Sequence, residues 1–230
     1  GETEYAFKHA LTREVVYASV PKARRAKLHA AFAAWLERTG GGRDEHAALL
    51  AHHYAAAVDP DHADLAWTGE EAERERLRIE ALSWLRRAAE LAWRRYDLDD
   101  AVALLQRAVA LEPDAAAQAA TWREIGHTSA LRYDGEAFVA AMERSLETCT
   151  DRAVCAESYA ELALQTSVRS SMWKRRPADD LVEGWISQAL ALSEPESPAR
   201  VKALIARAAW SESEETARAA GELAQRLGDV

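Results

Sequence analysis

Three histidines lie close together in this chain, His46, His52 and His53, and zinc is the first chemistry they suggest. A zinc site needs three or four converging ligands. His46 and His53 are seven apart on one helical face, but no Cys, Asp or Glu completes a set. They read as ordinary helix histidines, one packing near Tyr54, and no metal is expected. Gly40-Gly41-Gly42-Arg43-Asp44 has the glycines of a phosphate cradle. It lacks the preceding strand and the following Lys-Ser/Thr that such a loop requires, so it reads as a helix terminator and joint. Cys149 and Cys155 flank a turn and have no metal or redox spacing. They read as small buried residues. No Ser-His-Asp or Cys-His order has support here. The expectation is a protein that is not an enzyme and carries no cofactor.

Recognition chemistry is better represented. Lys22, Arg24, Arg25 and Lys27 form a basic face on a helix. They suit contact with another domain or with DNA, or a plain solvated face. A second cluster, Trp173-Lys174-Arg175-Arg176, suits protein or phosphate recognition. The alternative is that Trp173 tucks inward. The net charge is −9 and the pI about 5.4, which disfavours broad nucleic-acid binding. No apolar run approaches the ~20 residues of a membrane span, and no leader pattern opens the chain. No membrane contact is expected, and the expected compartment is cytoplasmic.

The elements that position these residues are helical. Nearly half of the residues are apolar, and Gly and Pro are scarce. Residues 82–113 read as one hairpin of two helices, with Leu85, Ala88, Ala89 and Ala92 on the first, Ala101, Leu105 and Ala108 on the second, and Pro113 closing it. Small residues at these positions let two helices approach closely. The pattern returns at a spacing of 37 in Trp122, Ile125 and Gly126, and again in Tyr159, Leu162 and Ala163. Phe138, Met142 and Ser145 repeat the second-helix positions, and Val182, Ile186 and Ala189 repeat them once more after a loop of seven extra residues. One such hairpin cannot bury its apolar face alone and must stack on neighbours.

The spacing resembles tetratricopeptide repeats. That resemblance implies an all-α fold, a right-handed superhelical solenoid of hairpins at about 82–114, 115–150, 151–195 and 198–230. It also implies a concave face lined by the first helix of each hairpin. Carried over by position, the groove residues are Arg86, Glu90, Trp93 and Arg94, then Arg123, His127 and Leu131, then Glu157, Leu164 and Val168. Their mixture of Arg, Trp and apolar side chains suits a protein or peptide partner.

Upstream, Phe7, Leu11 and Val15 recur at helical spacing, and Pro21 opens a helix to about Arg38 whose apolar face is read as Leu28, Phe32, Trp35 and Leu36. A third helix is expected over 43–58, a polar loop over 59–69, and a long helix over 70–96. The string Phe7-Lys8-His9-Ala10-Leu11-Thr12-Arg13-Glu14-Val15-Val16-Tyr17, with Ser19, Arg24, Arg25, Leu28 and His29, resembles the end of a winged-helix module in large bacterial multidomain signalling ATPases. In those proteins tetratricopeptide-like repeats come next. Ala51-His52-His53-Tyr54 resembles the start of their repeat region. The resemblance implies a winged-helix remnant at 1–40 and a repeat domain at 43–230, truncated at both ends. It implies a partner ATPase domain of the same parent chain, and a nucleotide-sensing or interdomain role for His9 there. No Gly-x4-Gly-Lys-Ser/Thr occurs in this chain. The function expected is non-enzymatic protein–protein recognition as a regulatory sensor or scaffold of a signalling ATPase or transcriptional regulator. The alternative is a nucleic-acid-binding helical-repeat module using the Lys22–Lys27 face.

Overall fold

The structure is a computed structural model that describes residues 10–40, 43–61 and 63–228, and of these all side chains but those of residues 10, 11 and 13. His9 therefore lies outside the described residues. All regular structure among the described residues is helical. The chain divides into two compact units, the first reaching Leu91 and the second beginning at Ala92.

In the first unit, α1 (Ala10–Ser19), α2 (Lys22–Gly40), α3 (Ala47–Ala57), α4 (Ala63–Ala66) and most of α5 (Glu71–Arg94) occur in that order. A 3-10 turn, Asp44–His46, leads into α3. α2 packs on α3 through Ala26, Ala30, Ala33 and Leu36. This corrects the expected face of α2. Alanines at i, i+4 and i+7 bring the two helices close, while the large residues Leu28, Phe32 and Trp35 stay partly exposed, Phe32 at the edge of the contact against His53. The expected polar loop at 59–69 also differs, since it contains α4, and Ala63, Ala66 and Trp67 are buried. The Trp67 indole donates from Nε1 to the carbonyl of Ala57 at 2.8 Å. That bond satisfies its only polar atom and lets a tryptophan of a connecting segment join the core.

The second unit holds α6 (Leu98–Leu111), α7 (Ala115–Leu131), α8 (Gly135–Glu147), α9 (Arg152–Val168), α10 (Asp179–Leu192), α11 (Pro198–Ser211) and α12 (Glu214–Leu227). α7 packs on α6 and α8; α9 packs on α10 and α11; α11 packs on α12. Most of the recurring positions are buried. Ala101, Leu105 and Ala108, then Phe138, Met142 and Ser145, then Val182, Ile186 and Ala189 are buried, as are Ile125, Leu162 and Ala163, whereas Trp122 and Tyr159 are half-buried.

The backbone repeats as the side chains do. Tyr96 and Tyr133 both adopt left-handed φ, 62° and 57°, and they stand 37 residues apart. In each turn the next residue's N–H reaches back five residues to a carbonyl: Asp97 to Ala92 at 2.9 Å and Asp134 to Ser129 at 3.0 Å. This is a Schellman closure, which satisfies carbonyls at the end of the preceding helix. Asp97 and Asp134 then cap α6 and α8 with their side chains. Glu212 (φ 54°) and Ser213 do the same before α12. Asp114 and Asp151, again 37 apart, cap α7 and α9. The exception is the long loop at 169–178, where Ala178 precedes α10 and no side chain caps it.

Candidate functional site

α9 carries an i, i+4 ladder, Glu157, Glu161 and Gln165, on the side that meets α11. From α11, Lys202 bridges the first two rungs. Its ammonium donates to the Glu157 carboxylate and to Glu161 Oε2 at 3.1 Å. Gln165 Nε2 donates to Glu161 Oε1 at 2.6 Å. Helical spacing alone puts the three acceptors in a row; the Ala-rich contact of α9 with α11, through Ala156, Ala160, Ala199 and Ala203, brings the lysine within reach.

The electrostatics derive from this geometry. Burial pushes the Glu161 carboxyl up, but the Gln165 hydrogen bond and the Lys202 charge prevail and hold it below the usual range. Burial pushes Lys202 down, yet the two glutamates raise it above its ordinary value. His127 of α7 belongs to the same field. Burial lowers its pKa, with Glu161 and Glu157 opposing and Arg123 and Lys202 assisting. The cluster is thus an ion-pair network in which Lys202 and Glu161 hold each other in their charged forms, with the less basic His127 beside them. The buried Gln165 Oε1 accepts no hydrogen bond within the protein.

The structure brings His127, Arg123 and Glu157 of the expected groove into one field. Glu161, Gln165 and Lys202 were missed by reasoning from the sequence. The i, i+4 acid ladder was visible there, whereas Lys202 sits in the least regular hairpin. Leu164 packs toward the core around Phe138 and Met142, and Leu131 is half-buried. Val168 and Trp93 are exposed, as is Arg94. Arg86 and Glu90 belong to the first unit, where both are exposed and Glu90 accepts from Arg87 at 2.7 Å.

The remaining candidates resolve individually. Trp173 is half-buried, not presented: its ring lies over Gly135, where an added Cβ would stand 2.7 Å from a ring carbon. Lys174, Arg175 and Arg176 are exposed, and the Arg176 guanidinium stacks 3.9 Å from the Trp210 ring centroid. Contrary to expectation, Cys149 and Cys155 are not small buried residues standing apart; they form a disulfide with Cα atoms 5.9 Å apart. In the first unit, Lys27 is tied to Glu70 at 2.7 Å and Arg25 lies over the Tyr17 ring. His46 sits against Gly40. His53 meets His29, Nδ1 to Nδ1 at 2.7 Å, with the Tyr17 hydroxyl 2.8 Å from the other nitrogen of His29. His52 stands beside both rings. Burial, then the charges of His29 and His52, push His53 down to about 4. Among the described residues no group of three or more His, Cys, Asp or Glu side chains is arranged to hold a metal ion.

No protein-family description, no curated protein and no solved structure matches this chain.

Proposed function

We propose that this chain is a non-enzymatic recognition module whose working surface is the α7–α9–α11 face around His127, Glu161 and Lys202. The observation that carries this is the network in which Lys202 joins Glu157 and Glu161 across two helices, with His127 exposed beside it. Charged groups held in a fixed arrangement favour a partner of complementary charge pattern. The first helices of successive hairpins would form the inner wall of a right-handed solenoid. The segment before residue 40 would be the remnant of a winged-helix module. In that setting the module acts as sensor and scaffold for an ATPase domain of its parent chain. A partner that binds one state of the parent better than the other shifts its equilibrium.

The proposed compartment is the cytoplasm. There the Cys149–Cys155 pair would be kept as two thiols, so oxidation state reports location. The nucleic-acid alternative is weakened by the engagement of Lys27 and Arg25 within the protein.

The test begins with a partner captured on the full chain, identified by mass spectrometry and titrated by calorimetry. Gln165→Ala and His127→Ala should each weaken it about tenfold, with folding unchanged by circular dichroism. Equal affinity for wild type and both variants would remove the basis for this face.

A further inference from the structure

The face of α2 outside its alanine contact with α3 is neither polar nor fully covered among the described residues. Leu28 is 55% exposed, Phe32 38% and Trp35 41%, and Leu49 of α3 is 42% exposed. The three on α2 are not scattered: they stand at i, i+4 and i+7, the spacing of one helical stripe. Phe32 and Trp35 stack with ring centroids 5.5 Å apart, and Phe32 also meets His53 at 4.4 Å. The stripe is therefore a continuous apolar ridge with an aromatic wall.

A cation stands near each end. Arg24 precedes Leu28 by one turn and Arg38 lies one turn beyond Trp35, so a guanidinium stands at each end. Both are exposed, and no ion pair or hydrogen bond engages either among the described residues. Several carboxylates of the first unit are tied elsewhere. Glu37, the only acid of α2, keeps its charge and accepts from the Tyr54 hydroxyl at 2.6 Å. Asp44 is bound by Arg87, Glu45 pairs with Arg43, and Glu70 pairs with Lys27. In a chain of net charge −9, free cations at both ends of an apolar ridge are a local exception.

We infer that the exposed α2–α3 face is a docking site for an acidic amphipathic helix, with apolar residues at i, i+3/i+4 and i+7 and carboxylates at both ends. The geometry is that of two amphipathic helices packed along their apolar stripes. The 14 residue steps from Arg24 to Arg38 span about 21 Å at 1.5 Å per residue, so a partner helix of about four turns reaches both cations. A second copy of this face is a poor occupant, because its own cations would meet these. This surface is independent of the α7–α9–α11 face.

The probe is a fluorescein-labelled, helix-forming peptide of about 16 residues with Leu at i, i+3, i+4 and i+7 and two Glu at each end. Its controls carry Gln or Lys in place of the Glu. The full chain should bind the Glu peptide by fluorescence anisotropy, at least tenfold tighter than the Gln peptide in low salt. Phe32→Ala with Trp35→Ala should abolish binding. The decisive variant is R24E/R38E, which changes only exposed residues: it should lose the Glu peptide and gain the Lys peptide. Equal binding of the Glu and Gln peptides, or no exchange of preference in R24E/R38E, overturns the inference. So does binding of the chain to vesicles containing phosphatidylserine with none to the peptide, which would make the face a membrane surface. Concentration-dependent dimerisation abolished by R24E/R38E would equally overturn it in favour of self-association.

Discussion

The Cys149–Cys155 disulfide closes a loop with a sequence separation of 6, between the end of α8 and the first turn of α9. A cross-link restricts the unfolded chain, and the chain-entropy relation for a loop of about seven residues gives roughly 8 cal/mol/K, or about 2.4 kcal/mol at 25 °C. The native structure has reason to tolerate the bond without adjustment. Asp151 inside the loop already accepts hydrogen bonds from Ala153 N–H at 2.8 Å and Val154 N–H at 3.2 Å, so the segment is ordered by its cap whether or not the sulfurs are joined. The entropy term should therefore appear nearly undiminished. Cys149→Ser with Cys155→Ser, and separately the wild type under reductant, should lose about 2 kcal/mol in urea denaturation monitored by tryptophan fluorescence. At about 2–4 °C per kcal/mol the melting temperature should fall by about 5–10 °C. Mass spectrometry after alkylation verifies the bond in the oxidised sample. If oxidised, reduced and double-serine proteins unfold at the same urea concentration, with the bond verified, the reasoning that the loop constrains the unfolded state is wrong.

Three other outcomes are expected from the packing and the charges. The pKa of His53, about 4, lies below its ordinary 6.5, so between those values the unfolded chain binds a proton that the folded chain refuses. Stability should be full above pH 6.5 and decline as pH falls toward 4, by about 1–2 kcal/mol after allowing for solvent screening; His127 acts in the same direction. Urea titrations at several pH values check this, and His53→Leu should flatten the dependence. Gly135→Ala should drive the Trp173 ring from its seat and cost about 1–2 kcal/mol net of the better helix propensity, seen as a change in near-ultraviolet dichroism that Gly184→Ala, in open space, does not produce. Lys202→Ala should leave Glu161 without its cation and cost about 1–2 kcal/mol, largely recovered when Glu157→Gln and Glu161→Gln are added; a double-mutant cycle showing no coupling would contradict the network.

The helical elements and the core of the second unit were legible because apolar spacing is a direct record of burial. Phe138, Val182 and Ile186 could be found by counting. α2 was misread for a physical reason: large apolar residues attract attention, but the closest contact between two helices belongs to the smallest ones. Ala26, Ala30 and Ala33 took the interface, and Phe32 and Trp35 were left outside. Trp67 was lost because its segment is polar in composition, and one indole hydrogen bond to Ala57 decides its burial. The candidate face was half legible. His127 and Glu157 came from position in the repeat, whereas Lys202 depends on how α11 lies against α9, which no local pattern encodes. The disulfide was illegible because the spacing of two cysteines specifies no bond; the turn that brings their Cα atoms together does.

The paired turns at Tyr96 and Tyr133 bear on how such a chain changes length. Each carries the same three residues, Arg-Tyr-Asp, the same left-handed tyrosine, the same five-residue reach of the aspartate N–H, and the same capping role. At the level of the backbone the two are interchangeable ends. Recombination between the two Arg-Tyr-Asp codon triplets would remove or add 37 residues and leave an intact turn at the junction, already closed and already capped. The insertion at 169–178 has no such turn and no cap, so an exchange there would leave two ill-matched helix ends. The lineage of this protein is thus expected to vary in hairpin number on the amino-terminal side of that loop, and to keep the loop together with α10, α11 and α12 as a fixed block.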